Sequence, residues 1–311
     1  MQNPENPKGV IFDAGYRRYE GRYLGRASAI ASLVWDDFKR SLGVKRSLFF
    51  RIGIVLMLLI QLGISLFYLF SSQFIEQAFQ QSGAPAELAN PFSSFIDTTS
   101  LFGLILVAMV APYLLCKDRK NNVFPLYMVR PIYLQDYIIA KGLSIFLVLA
   151  VFILAPALLI FIGKAFLAPN ALQYFADNQT SFGAMMLSGL LIAAFFTTYS
   201  MGISSLTTGV GVAAGMIVGL DFLLGIVSSI LFRINKDPTV ALIAIEESVF
   251  RIKDWIFFGK VPSISASVDG TGRNIIQIEA LPVWMYISVM LLVIVGSLII
   301  TFLAYRREAQ R

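Results

Sequence analysis

Five stretches of this chain contain no Asp, Glu, Lys or Arg: residues 52–75, 98–116, 142–163, 178–220 and 280–305. Runs of about 18 or more apolar residues are long enough to cross the hydrocarbon core of a bilayer as a helix. Inside lipid every backbone N–H and C=O must be bonded within the protein, so such runs are helices and not isolated strands. The longest run, 178–220, would overshoot the membrane as one helix. It breaks at "SSLTTG", 204–209, its one cluster of small polar residues. Six spans result, roughly 50–72, 98–116, 138–163, 181–204, 208–232 and 282–305. A count of four or five, with one run buried in protein, is the competing reading. Of 311 residues only 14% are charged, where a soluble domain carries about a quarter. The expected fold class is an all-α polytopic membrane protein.

Residues 1–48 are polar and charged, without the early apolar core of a signal peptide. They are expected to form a cytoplasmic N-terminal segment ahead of a membrane domain over 49–311. Within it, 23–42 reads as an amphipathic helix. Ile30, Val34, Phe38 and Leu42 recur at helical spacing, with Arg26, Asp37 and Arg40 placed elsewhere on the wheel. With Tyr23 and Trp35 it suits the headgroup layer, or packing on protein.

The basic residues assign the sides. Residues 1–48 hold nine Lys or Arg, and the loop 73–97 holds none. The next loop brings Lys117, Arg119, Lys120 and Arg130, the third only Lys164, and the tail Arg306, Arg307 and Arg311. The long loop 233–281 has six basic residues balanced by six acidic ones, and long loops weigh little in this rule. Both termini are therefore expected in the cytoplasm. The sequence pI near 9.4 points to anionic lipid at that face and not to nucleic acid. The loop 233–281 is expected outside the cytoplasm. Leu242, Ile245, Val249, Ile252 and Ile256 trace a second interfacial helix, with Glu247, Arg251 and Asp254 opposite. A small β-hairpin over Ile264–Val268, "DGTG" and "RNIIQIE" follows.

The chain offers little for catalysis. It has no histidine and one cysteine, Cys116, so zinc hydrolysis and an intrachain disulfide are both poor readings. No G-x-x-x-x-G-K-[ST] loop occurs, so this chain is not expected to hydrolyse ATP. "GVGVAAG", 209–215, has dinucleotide-loop spacing, but it opens a membrane span and lacks the preceding strand. Gly211, Gly215 and Gly219 instead share one helix face, where another helix can approach closely, within the chain or at a subunit interface. Asp221 follows near the middle of that span. A carboxylate there costs about 2.5–3.5 kcal/mol, so it should face protein or water. It lines a translocation path, accepts a proton, or pairs with Ser or Thr of another helix. Pro156 should kink the third span.

Between the second and third spans lies "CKDRKNNVFPLYMVRP", 116–131, basic and bounded by Pro125 and Pro131. A short stiff element held between two spans suits force transfer from a cytoplasmic partner. Here the sequence resembles a family. Six spans, cytoplasmic termini, an N-terminal amphipathic helix and "RPIYLQDYIIAKGL" are similar to the membrane subunit of ABC-2-type ABC transporters. "GYRRYEG", 15–21, is similar to the N-terminal segment of a bacterial group of these permeases. The resemblance implies an exporter in the bacterial inner membrane, with two copies of a cytoplasmic ATPase carrying ATP and Mg, and a second permease chain, identical or not. It implies no cofactor on this chain. It places one ATPase contact on 118–130 (Asp118, Arg119, Lys120, Leu126, Tyr127, Arg130) and a second on the turn Ser204, Ser205, Thr207, Thr208. Many members carry Glu followed by Gly-Thr in the first loop; here Asp118 is followed by Arg119, Lys120, Asn121 and Asn122. A proton-coupled secondary transporter using Asp221 and a non-transporting membrane scaffold are the other readings.

The topology is testable with impermeant thiol reagents on intact cells, in a variant lacking Cys116. Ser82→Cys should label from outside, and Asn122→Cys only after the membrane is opened. The reverse pattern would overturn the assigned orientation.

Overall fold

In the computed structural model, residues 25–44, 48–82, 90–121, 133–267 and 275–310 are described. Their order is α1 (Arg26–Ser41), α2 (Leu48–Ser82), α3 (Pro91–Lys120), α4 (Leu134–Leu167), α5 (Ala171–Asp177), α6 (Gln179–Leu206) and α7 (Val210–Asn235). A 3-10 turn (Pro238–Ile243), α8 (Ile245–Phe258), β1 (Ile264–Ser267), β2 (Ile275–Ile278) and α9 (Val283–Ala309) complete it. Six of the helices, α2, α3, α4, α6, α7 and α9, are long and apolar enough to cross a membrane. This is a helical, multi-pass membrane protein. The helices run several residues past the charge-free stretches at most ends, because polar residues continue a helix once it leaves the hydrocarbon.

Local signals set the boundaries. Asn90 caps α3, its Oδ1 accepting from the backbone N–H of Phe92 and Ser93 at 3.1 and 3.4 Å, and Pro91 takes the first helical position. Asp136 reaches back to the N–H of Tyr133 at 3.0 Å and fixes the start of α4. The "SSLTTG" break is real: α6 stops at Leu206 and α7 begins at Val210. Pro112 and Pro156 both lie inside continuous helices, α3 and α4. Gly259, at φ 70°, ends α8 in the left-handed conformation that glycine adopts without a Cβ penalty.

Helix α3 is the most enclosed of the six, and α7 and α9 show most of their surface outward. Lipid is as apolar as leucine, so association of spans rests on close packing and interhelical hydrogen bonds. Both are present. Gln61 donates to Thr99 Oγ1 at 2.7 Å, and Tyr68 Oη lies 3.0 Å from Thr98 Oγ1, tying α2 to α3. Gly202 lets α6 touch α9: a Cβ there would sit 2.8 Å from the Ser297 Cβ.

α1 takes the second of the two placements its pattern allows, packing on protein. One residue needs correction: Asp37, placed above off the apolar face, is fully buried together with Leu33, Val34 and Ser41, against α4. The helix traced over 242–256 forms as α8 and also packs on the bundle. It packs along α9 and α6 and touches α7 and α3. Its first turn shares a cavity with Leu101, ten residues and so about 15 Å along α3. The chain leaves α7, folds back beside it through the 3-10 turn, where Ser228 Oγ donates to Val240 O at 3.0 Å, and returns as α8. The segment doubles back along α7. β1 and β2 pair antiparallel, Ile264 opposite Ile278 and Ser267 opposite Ile275; residues 268–274 lie outside the described residues.

These packing differences separate the glycines. Gly202→Ala should lower stability by about 1–3 kcal/mol, the usual cost of overpacking. Gly183→Ala should cost nothing, since nothing described lies within 4 Å of a Cβ there. Heating the detergent-purified variants and following the folded, monodisperse fraction checks both. Equal losses would contradict the packing.

Candidate functional site

At one end of the bundle α1, the C-terminal ends of α3, α6 and α9 and the start of α4 converge. The geometry follows from one lysine. Lys141 sits two turns into α4, fully buried. Its Nζ donates to Asp37 Oδ1 at 3.1 Å, lies 3.0 Å from Asp37 Oδ2, and lies 2.7 Å from Asp118 Oδ2. Tyr137 donates its hydroxyl to the same Asp118 oxygen at 3.0 Å. Arg40, 4.0 Å from Asp37, adds a second cation from the rim. Burial raises the Asp37 carboxyl above its ordinary value, against the pull of Lys141. Arg26 grips Asp136 through two hydrogen bonds of 2.7 and 2.5 Å, and Ser144 Oγ donates to Val34 O at 3.1 Å. Arg26 to Val34 thus runs beside Asp136 to Ser144, eight residues against eight, fixing α1 alongside α4.

The same end closes α6. The last four carbonyls of a helix lack intrahelical donors. Cys116 Sγ donates to Ser204 O at 3.3 Å, and Arg119 donates to Ser205 O at 2.5 Å. The guanidinium also offsets the negative end of the helix dipole. Its other arm meets Glu308 of α9 at 3.1 Å, and Tyr305 donates to Leu115 O at 3.3 Å.

The residues expected to face an ATPase are therefore divided. Asp118 and Arg119 spend their charges inside the chain, and the Ser204 and Ser205 side chains are buried, at 0% and 1% exposed. Within the chain the Asp118 carboxylate and the Arg119 guanidinium are engaged, and Ser204 and Ser205 contribute their backbone carbonyls as acceptors. Lys120 and Thr208 are exposed and Thr207 is half-buried. Leu126, Tyr127 and Arg130 lie outside the described residues. Among the sequence's site candidates, the fold brings Asp118, Arg119, Ser204 and Ser205 together.

Among the described residues nothing stands within 4 Å of a Cβ at Gly211, Gly215 or Gly219, so this face of α7 is open toward them.

Asp221 is half-buried at mid-helix, and among the described residues no Ser or Thr pairs with it. It is hydrogen-bonded to Glu246, in the first turn of α8. The two line a cavity of about 290 Å³ with Leu101, Phe222, Gly225 and Phe250. Burial, and then the hydrogen bond to Asp221, push the Glu246 carboxyl up to about 9. At the far end of α8, Lys253 is 1% exposed and donates to Asp97 Oδ1 at 2.6 Å and to Ser93 Oγ at 2.8 Å.

The sequence reading missed Lys141, Tyr137, Glu246 and Lys253, and misplaced Asp37. A signal existed for Asp37: with Val34 and Ser41 it falls at three- and four-residue steps on the apolar stripe. Glu246 had none, because it lies in a segment read as outside and its partner lies 25 residues away in a span. Compared with protein-family models and with curated proteins, the chain finds no match.

Lys141→Met should lower stability by about 3–5 kcal/mol, because it strands two buried carboxylates. The double variant Lys141→Met/Asp37→Asn should recover part of that loss. Thermal stability of the purified proteins checks it; an additive or larger loss in the double variant would argue against direct pairing.

Proposed function

We propose that this chain is the membrane-spanning permease subunit of an ATP-driven exporter of the ABC-2 type, working in the bacterial inner membrane. A separate cytoplasmic ATPase, two copies per transporter, binds ATP and Mg. The single observation that carries the reading is the contact of Arg119 with Ser205 O at 2.5 Å. It joins the two segments, 118–130 and 204–208, that the resemblance assigns to the ATPase. Segments 86 residues apart meet at one end of the bundle, as two contacts for one partner require.

On this reading the α1 end faces the cytoplasm, and both chain termini with it. A push on the loop after α3 enters a stiff assembly. Asp118 passes it to α4 and α1 through Lys141, and Arg119 passes it to α6 and α9 through Ser205 and Glu308. Buried ion pairs have few alternative partners, so the helices move as a unit and do not slide. The internal contacts of Asp118 and Arg119 serve transmission, and docking falls to the loop residues beyond them. A second permease chain packs on α7, where the open face of Gly211, Gly215 and Gly219 admits close approach of another helix. Substrate crosses by alternating exposure or lateral extrusion at that dimer interface.

The Asp221–Glu246 pair favours a second reading, a proton-coupled secondary transporter. It differs in one requirement: that chain would transport in proteoliposomes without any ATPase.

Docking is tested by co-purifying the native ATPase with the Leu126→Ala/Tyr127→Ala variant, beside substrate-stimulated ATP hydrolysis. Aromatic and aliphatic anchors dominate interface energy, so the ATPase should be lost from the complex and hydrolysis uncoupled. Lys120→Glu should act mainly on association rate and its salt dependence. Retention of the ATPase with coupled transport in the double variant would sink the coupling role of this loop.

A further inference from the structure

The first turn of α8, its inner end, carries a second pair of ionisable groups that the exporter reading leaves unused. A carboxylate only accepts hydrogen bonds, so two carboxyl groups bonded to each other must hold a proton between them. Asp221 and Glu246 are such a pair, one on α7 and one on α8, in the cavity closed by Leu101, Phe222 and Phe250.

The surroundings favour keeping that proton. The charged neighbours that act on Glu246 are Asp221 of α7, Glu247 of its own helix and Asp97 of α3, all acids. The cations of α8 are engaged elsewhere: Arg251 with Glu247 and with Pro262 O at 3.0 Å, Lys253 with Asp97, Ser93 and Asp254. From α6, Tyr199 faces the pair and donates its hydroxyl to Ile217 O at 3.4 Å. From α9, Tyr286 faces Arg251 and Glu247.

We infer that Asp221 and Glu246 form a proton-binding site whose occupancy holds the inner end of α8 against α7, and that loss of the proton releases that end. With the proton in place, one carboxyl donates to the other. When water or hydroxide takes the proton, two carboxylates face each other in an apolar cavity and repel. Lys253 on Asp97 and Ser93 still holds α8 farther along. The helix therefore pivots about that contact and opens the cavity at its inner end.

The pH sense follows from Glu246, raised from 4.5 to about 9. A group with a raised folded-state value binds its proton more tightly in the folded form. Its stabilising contribution is complete below about 4.5 and falls as pH rises through about 9.

The test uses the full chain in lipid nanodiscs, with Cys116→Ser and nitroxide labels at Leu223→Cys on α7 and Thr239→Cys on the 3-10 turn. At neutral pH a single short distance is expected. A longer one should grow in as pH rises, with a midpoint near 9. The infrared band of a protonated carboxyl should disappear in parallel. In Glu246→Gln the amide donates to Asp221 without titrating, so the distance should stay short across the range and the band should be absent. The inference is overturned if the wild-type distance does not change while the band is lost. It is also overturned if Glu246→Gln lengthens with the wild-type midpoint, or if no protonated carboxyl is present at neutral pH. If Glu246→Gln does not fold, Asp221→Asn takes its place, its amide donating to the Glu246 carboxylate. It too should hold the short distance, and lengthening at the wild-type midpoint would equally overturn the inference.

Discussion

Lys141 stands where water cannot reach, and much of one end of the bundle is arranged around it. An unpaired ammonium in such a place would lose its proton or unfold its surroundings. Asp37 from α1 and Asp118 from α3 keep it charged, and it in turn neutralises both. Three helices far apart in sequence are joined by one side chain. Tyr137 donates to the Asp118 oxygen that also faces Lys141, and its ring packs against Tyr305, 5.6 Å between centroids, bringing in α9. The cost of breaking any member is what keeps the others in place.

The α8 end is organised differently. Lys253 repeats the theme with Asp97, but the contact sits nearer the rim, with the Asp97 side chain 47% exposed. Deeper in, the partners are two acids and not an acid and a base. An ion pair needs no proton to hold it, whereas an acid pair does. One end of the molecule is thus held by opposite charges, and the other by an acid pair that needs its proton.

Sequence reasoning misplaced Asp37 by assigning a charged residue of an amphipathic helix to its solvated face. Asp37 lies on a buried face instead, because it meets Lys141 of another helix. Lys253, which the periodicity left unassigned, is buried for the same reason, against Asp97. Asp118 and Arg119 were assigned to a partner by resemblance, and within the chain the carbonyl of Ser205 and the carboxyl of Glu308 engage Arg119. The glycine stripe shows the converse. Spacing identifies a face that admits close approach, and among the described residues nothing occupies it.

The sequence by itself determined the six membrane-crossing helices, the break at 204–209, the helical character of 26–41 and of 245–258, and the poverty of catalytic groups. These follow from local physics: runs without charge must be helical in lipid, and periodicity shows on a single segment. Only the tertiary structure decided that α1 is clamped to α4, that α8 folds back among the spans, and that Asp221 meets Glu246. Each of these depends on a charge finding its partner across a distance in sequence. A buried ion or acid pair is defined by both of its members, and no spacing within one helix reveals the other.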